Sequence, residues 1–400
     1  MEVKKTMLYR KNPKNGDNLS ILGFGCMRLS KKAGMIDQPK AETEMLHAIE
    51  NGVNYFDTAY TYPGSEAALG KFLCHHDIRN KIYIADKLPH YLMKKPEDIE
   101  KCFTEQLKRL KTDYIDYYLI HMLTGIESWQ RLKDFGIEQW VAAKKASGAI
   151  RNFGFSFHGG NTSFCKIIDG YDWDFCMIQF NYFDEFNQAG VNGLEYAAAK
   201  GLPVMVMEPL RGGKLTNKGL PQAAATLWQQ FTPRRSATEW ALRWVWNHPQ
   251  VTLLLSGMND ITQIDENVRV AGTAIANSLS AEEIAFFNKV RDEININTKI
   301  PCTGCGYCMP CPHNVDIPTC FSCYNDKYTD GWIQGMKEYV MYTTLRAVPS
   351  NASHCQHCHR CEQRCPQGIP ISKHLEAISK EMETPLYQIG SAIMRLFSRF

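Results

Sequence analysis

Short runs rich in β-branched and aromatic residues recur between residues 20 and 258, and helix-like segments separate them. The runs are SILGFGCM (20–27), VNYFDTA (53–59), KIYIADKL (81–88), YIDYYLIHM (114–122), IRNFGFSF (150–157), FCMIQFNY (175–182), PVMVMEPL (203–210) and VTLLLSGM (251–258). Between them lie patterns such as PEDIEKCFTEQLKRLK (96–111) and SATEWALRWVWNHP (236–249). The first of these opens with proline and then acids, as a helix start does. A strand followed by a crossover helix leads to a parallel neighbour. Eight such units over about 255 residues predict an α/β fold closed as a (β/α)8 TIM barrel. An open doubly wound sheet would place a G-x-G-x-x-G turn after its first strand. The first run offers only LGFGCM. Upstream, MLYR, a turn NPKNGDN and LSIL read as a hairpin over the barrel's N-terminal end.

In such a barrel, chemistry belongs at the C-terminal ends of the strands. Polar residues stand there in successive runs: Asp57, with Tyr62 five residues on, then Lys87, His121, Ser156, Gln179 to Asn181, and Glu208. Singly, each has an ordinary explanation as a cap, a solvated cation, a packing ring or a structural imidazole. Their recurrence on adjacent strands of one ring is what points to a site.

The segments NYFDTAYTY, IADKL, YIDYYLIHM and GFSF resemble the signature segments of the aldo-keto reductase family. The similarity covers roughly residues 1 to 295, in order. It implies a nicotinamide-dependent oxidoreductase, with a tetrad of Asp57, Tyr62, Lys87 and His121. The residue types suit carbonyl reduction, which needs a hydride at carbon and a proton at oxygen. Tyrosine alone is a weak acid, with a pKa of about 10. An ammonium beside it, Lys87, favours the phenolate. Asp57 would hold Lys87, and His121 would donate a hydrogen bond to the substrate oxygen.

The resemblance extends to cofactor positions. It implies that Gly25, Met27 and Asp57 are cofactor contacts, with Ser156 and Gln179 on the nicotinamide amide and ring. The family's usual Asn after that Ser is replaced here by Phe157 and His158. EPLRGGKL (208–215) resembles the pyrophosphate loop, with Glu208, Pro209, Leu210, Arg211, Gly212 and Lys214 as its contacts. SGMNDITQIDEN (256–267) resembles the last cofactor segment, with Ser256, Gly257, Met258, Asn259, Gln263, Glu266 and Asn267. No Lys or Arg stands in that last segment to meet a 2′-phosphate, which weakens the case for NADPH over NADH. Tyr91, Trp129, His158 and Tyr182 are candidates for touching a small carbonyl or alcohol substrate.

The cysteines are distributed unevenly. Five of the fifteen are scattered before residue 300, and ten lie between 302 and 365. In a reducing compartment such clustering favours metal over disulfides. CTGCGYCMPC gives C-x2-C-x2-C-x2-C from Cys302, Cys305, Cys308 and Cys311. CQHCHRCEQRCP gives C-x2-C-x2-C-x3-C-P from Cys355, Cys358, Cys361 and Cys365. The second run is the bacterial ferredoxin signature, in which the fourth cysteine serves the other cluster. The expectation is two [4Fe–4S] clusters, one on Cys302, Cys305, Cys308 and Cys365, the other on Cys355, Cys358, Cys361 and Cys311. Zinc is the rival, since C-x2-C pairs also hold zinc. Cys320 and Cys323 form a further pair, read as spare thiols.

The shift in composition near residue 298 sets the expected domains. They are a barrel over 1–298, a small, mainly α-helical ferredoxin-like domain over 299–385, and an amphipathic tail over 386–400 that packs on the protein. DGWIQGMKEYVMYTTLRAV and ISKHLEAISKEME read as helices within that second domain. The whole resembles the ferredoxin-fused aldo-keto reductases. Apolar content is 44% and formal net charge is +3. With no basic run interleaved with aromatics, nothing points to nucleic acid. No stretch reaches the length of a membrane span, and the first residues lack a signal-peptide core, so a cytoplasmic protein is expected.

Hydride transfer moves two electrons and a cubane moves one, so exchange between them calls for a flavin or another converter. Three readings follow. The clusters pass electrons between the barrel and a redox partner, or they are structural or oxygen-sensing, or the chain is a non-catalytic sensor of cofactor redox state. The intact tetrad speaks against the third.

Overall fold

The computed structural model describes residues 7–302, 304, 306–365 and 367–397. Eight strands close into a parallel barrel: β3 (Leu22–Gly25), β6 (Tyr55–Asp57), β7 (Tyr83–Leu88), β8 (Ile115–Leu123), β9 (Ile150–Phe157), β10 (Phe175–Gln179), β11 (Val204–Met207) and β12 (Val251–Ser256). Neighbours in the ring are neighbours in sequence, and β12 returns to β3. Two short antiparallel hairpins complete the strands, β1 (Tyr9–Lys11) with β2 (Asn18–Ser20), and β4 (Lys31–Lys32) with β5 (Met35–Ile36).

The strands read as nearly unbroken apolar runs because both faces are covered, as in parallel sheets generally. Inward residues such as Tyr55, Tyr117, Phe175, Met205 and Leu253 fill the lumen. Outward residues of the same strands join a larger core with the surrounding helices. The expected helices form, as Glu97–Leu110 and Ala237–Trp246, the second capped by Ser236 Oγ accepting from Glu239 N–H at 2.9 Å.

The first hairpin lies at the base of the barrel. Arg10 donates to the carbonyls of Trp246, His248 and Val251, and Asp17 accepts from the Tyr117 hydroxyl at 2.6 Å. The expected first strand is thus split: Ser20 belongs to β2, and the barrel strand begins at Leu22.

Residues 300–387 share a second apolar cluster, separate from the barrel's, built on Ile317, Phe321, Tyr339, Leu375 and Ile378. Its helices are Ile317–Thr329, Trp332–Tyr339, Ile371–Met382 and Pro385–Phe397. The last covers Thr344 and Asn351 through the Tyr387 hydroxyl, and Arg395 donates to the Thr344 carbonyl. Residues 398–400 of the expected tail, Arg399 among them, lie outside the described residues. No helix among the described residues is long and apolar enough to cross a membrane.

Candidate active site

Asp57 closes β6, Lys87 lies one residue before the end of β7, and His121 lies near the end of β8. The strand register therefore puts them side by side at the C-terminal mouth. Lys87 Nζ donates to Asp57 Oδ1 at 2.5 Å, to the Thr58 carbonyl at 2.7 Å and to the Tyr62 hydroxyl at 3.3 Å. The Tyr62 and His121 rings stand edge to face at 6.0 Å. The four sequence-predicted residues form one contiguous group.

Burial dominates the electrostatics. It works against the Lys87 charge, but Asp57 and the Tyr62 hydroxyl outweigh it and the ammonium is held more firmly than usual. Burial raises the Asp57 carboxyl, with Lys87 opposing, and leaves Oδ2 without a hydrogen-bond partner. The Tyr62 hydroxyl is raised too: burial outweighs the downward pull of Lys87, against the expectation of a lowered value. His121 is pushed well below its ordinary value by burial and then by Lys87, so it is a neutral imidazole at pH 7. Its Nδ1 lies 3.5 Å from Thr61 Oγ1.

The cofactor candidates line the same rim. Ser156 Oγ accepts from Met122 N–H at 2.9 Å. Gln179 Nε2 donates to Asp184 Oδ2 at 2.9 Å. Asn267 Nδ2 donates to Ser256 Oγ at 3.1 Å, and its buried Oδ1 has no partner. Gln263 Oε1 accepts from Asn259 N–H, Glu266 accepts from Ser236, Met258 is buried and Met27 is exposed. Gly25 packs against the Ser256 carbonyl, where an added Cβ would touch at 3.4 Å.

The seventh-strand loop carries four left-handed residues, Glu208, Arg211, Gly212 and Gly213. Backbone of this kind concentrates at functional sites. Its charges are not turned toward a phosphate. Arg211 pairs with Asp184 at 3.0 Å and with Asp326 at 2.6 Å, and Lys214 pairs with Asp330. Asp326 lies on helix Ile317–Thr329 of the C-terminal domain, and Asp330 is that helix's C-cap. Residues 256–267 carry no Lys or Arg, but Arg28 lies against that segment. An added Cβ on Gly257 would meet the Arg28 chain at 3.1 Å, and one on Gly212 would meet Arg28 Nη2 at 3.1 Å. The side chain thus runs across the β12 loop to the β11 loop. Sequence reasoning passed over Arg28 because it follows β3, far along the chain from either loop.

Of the four aromatic candidates, Tyr91 stands beside His121, ring to ring at 6.2 Å. His158 stacks on Tyr342 of the C-terminal domain at 5.0 Å. Trp129 instead packs on Trp173 and Tyr171, and Tyr182 on Phe287 and Trp228. These last two are core, not site. Tyr342 and Arg346, which donates to the His158 carbonyl at 3.5 Å, are rim contacts that no sequence signal marked.

The cysteine runs come together across the C-terminal domain. Cys302, Cys308 and Cys365 face one apolar pocket with Ile317, Phe321 and Ile371. Cys355 lies within electrostatic reach of Cys311 and Cys358, and Cys361 within reach of Cys355. Cys305 lies outside the described residues. Cys320 and Cys323 are buried on helix Ile317–Thr329. No three His, Cys, Asp or Glu side chains among the described residues converge on a single ion.

An eight-stranded parallel barrel with a lysine-bound tyrosine and a neutral histidine at its mouth defines an oxidoreductase of the TIM-barrel class. A profile of the aldo/keto reductase family matches residues 21–292, and the chain belongs to that family. The uncharacterized oxidoreductase YqkF of Bacillus subtilis is 27% identical over 67% of this chain and 91% of its own length. Methylglyoxal reductase YeaE of Escherichia coli is 28% identical, over 69% and 92%. Among solved structures, the holo form of aldo-keto reductase AKR11C1 from Bacillus halodurans superimposes with a TM-score of 0.60 at 26% identity, over 71% of this chain and 96% of that one. The protein is accordingly an enzyme, and its family works with NAD(P)H. These matches end before the cysteine-rich domain in the case of the family profile.

Proposed function

We propose that the protein reduces a small carbonyl compound, or oxidises the alcohol, and that its C-terminal domain carries two [4Fe–4S] clusters exchanging electrons with a redox partner in the cytoplasm. NAD(P)H would supply the hydride in reduction, and NAD(P)+ would accept it in oxidation. Tyr62 Oη gives its proton to the substrate oxygen in reduction and takes it back in oxidation. Lys87 Nζ holds that hydroxyl, Asp57 keeps Lys87 charged, and His121 steers the oxygen from a neutral ring N–H. Ser156 and Gln179 would hold the carboxamide. Arg28 and the loop of Gly212 and Gly213 would meet the phosphates, and Arg28 reopens NADPH as the partner.

The observation that carries the cluster reading is the pocket shared by Cys302, Cys308 and Cys365. Cysteines from the two separate runs, among them Cys308 and Cys365, face one apolar space, as the crossed ligation of two-cluster ferredoxins requires. A cubane spreads its ligand sulfurs wider than a single ion does, which suits thiols that border a pocket without meeting at a point. Anaerobic purification should yield about eight iron and eight sulfide per chain. Zinc in their place, or no metal, would refute the reading. Bleaching of the cluster absorption on adding NADPH or NADH, with or without flavin, would support exchange with the barrel; unchanged absorption during normal turnover would leave the clusters a structural or sensing role.

A further inference from the structure

Helix Ile317–Thr329 is a wall with two faces. Ile317, Pro318 and Phe321 border the pocket of Cys302, Cys308 and Cys365. Thr319, Ser322, Cys323 and Asp326, on the far side of the same helix, border a polar cavity at the barrel mouth. The barrel side of that cavity includes Gln179, Asp184, Asn187 and Glu208. One helix, about 10–12 Å across with side chains, therefore separates the first cysteine set from the rim.

A second connection runs beside it. Gln179 Nε2 donates to Asp184 Oδ2, and Asn187 Nδ2 donates to Asp184 Oδ1, each at 2.9 Å. Asn187 in turn abuts Gly304, in the loop between Cys302 and Cys308. An added Cβ at Gly304, whose φ is +71°, would lie 2.5 Å from Asn187 Oδ1. Gly304 N–H donates to Cys302 Sγ at 3.5 Å. Hydrogen bonds to the sulfurs are among the factors that set a cluster's potential. Among the described residues, Cys355, Cys358 and Cys361 have no such link to the barrel rim, and Cys358 is exposed.

We propose that Asp184, Asn187 and Gly304 couple occupancy of the nicotinamide pocket to the first cysteine set, Cys302, Cys308 and Cys365, and that the second set is not coupled. This rests on the cluster reading above and on Gln179 as a carboxamide contact. A carboxamide on Gln179 competes with Asp184 for its Nε2 donor. Asp184 then repartitions between Asn187 and Arg211, and Asn187 bears on Gly304 and its hydrogen bond to Cys302. Coupling of this kind is reciprocal: cofactor affinity changes with the state of that cysteine site by the same factor.

The test is an EPR-monitored redox titration of the anaerobically prepared full chain. The probe is the hydride-inert tetrahydro analogue of whichever dinucleotide binds, with the matching nicotinamide-free ADP fragment as control. The expected result is a shift of one cluster signal only, equivalent to a five-fold or larger change in affinity, or about 40 mV for a one-electron couple. The control should give no shift. Asn187→Ala and Gly304→Ala, which alter the contact from opposite sides, should each bind the analogue and lose the shift. No shift, equal shifts in both signals, or a shift that survives in both variants would overturn the proposal. If no clusters assemble, the reading beneath it fails as well; if they assemble and the analogue binds without a shift, only the coupling fails.

Discussion

The Arg211 guanidinium meets the Asp326 carboxylate at 2.6 Å, joining the seventh-strand loop of the barrel to the first helix of the C-terminal domain. Asp184 lies 3.0 Å away on the barrel side and Asp330 at 3.6 Å on the other, and the arginine side chain is 11% exposed. Burial raises the Asp326 carboxyl, Arg211 opposes, and Glu338 adds a carboxyl hydrogen bond to it. Arg211 thus compensates Asp184 and Asp326, and shares Asp330 with Lys214.

That asymmetry separates two substitutions. Arg211→Ala leaves Asp184 and Asp326 without their cation while Asp330 keeps Lys214, and removing one partner from a buried ionic group costs about 3–5 kcal/mol. Asp326→Asn keeps the shape and leaves Arg211 with Asp184 and Asp330, so its loss should stay below about 2 kcal/mol. Urea titrations of the full chain should rank the two in that order. Equal losses would mean that the Arg211–Asp326 pair stands alone rather than in a network.

Tyr62→Phe removes the proton donor and little volume. Hydride transfer in single turnover should fall by about 10²–10⁴-fold, the usual contribution of a positioned acid. Cofactor affinity, read by fluorescence, should change less than about two-fold, since the ring stays beside Lys87. Because the Tyr62 pKa is raised from 10.0, the hydroxyl keeps its proton through neutrality. Carbonyl reduction should therefore show no alkaline loss between about pH 7 and 9 from this group. Such a loss would assign the acid elsewhere.

Arg28→Ala tests the cation that bridges two loops. The side chain is exposed and has no ion pair within 4.0 Å among the described residues. Its charge is thus available to a phosphate. Dinucleotide affinity should drop about ten-fold, or ~1.4 kcal/mol, and its salt dependence should weaken. A ten-fold loss for NADPH with little change for NADH would place Arg28 on the 2′-phosphate. Equal losses would place it on the pyrophosphate.

The sequence made the barrel legible because parallel strands covered on both faces leave apolar runs, and crossovers leave helices between them. The tetrad was legible for the same reason: Asp57, Lys87 and His121 each sit at the end of such a run. What it concealed depends on contacts between distant segments. Arg211 and Asp326 are 115 residues apart, and nothing local in RGG tells a phosphate from an aspartate as its partner. Trp129 and Tyr182 followed strand ends, yet both side chains turn into the outer core, a choice of face that the strand end itself does not reveal. That Cys302 and Cys308 share a pocket with Cys365 was readable only through the ferredoxin spacing, because nothing local in the helices between the two runs tells how the chain folds back.

His158 gives the molecule an acid-sensitive contact between its two parts. Burial lowers its pKa to about 4, with the Gln188 amide opposing and Arg346 adding to the depression. The neutral ring stacks on Tyr342, Nδ1 meets Gln188 Oε1 at 3.1 Å, and Arg346 reaches its carbonyl. The unfolded chain binds a proton at this residue near pH 6.5. The folded chain therefore holds fewer protons between pH 6.5 and 4, and stability falls as pH falls through that window. His158→Gln keeps a polar group and removes the titration. Above pH 6.5 the gap between the two proteins should be constant. Below it, the native protein should lose up to about 1.4 kcal/mol per pH unit relative to the variant, a slope set by one proton. Denaturant titrations at pH 7.5, 6.0 and 5.0 read the gap directly. A gap that does not narrow toward pH 5 would mean that His158 protonates in place, with the Tyr342 stack intact.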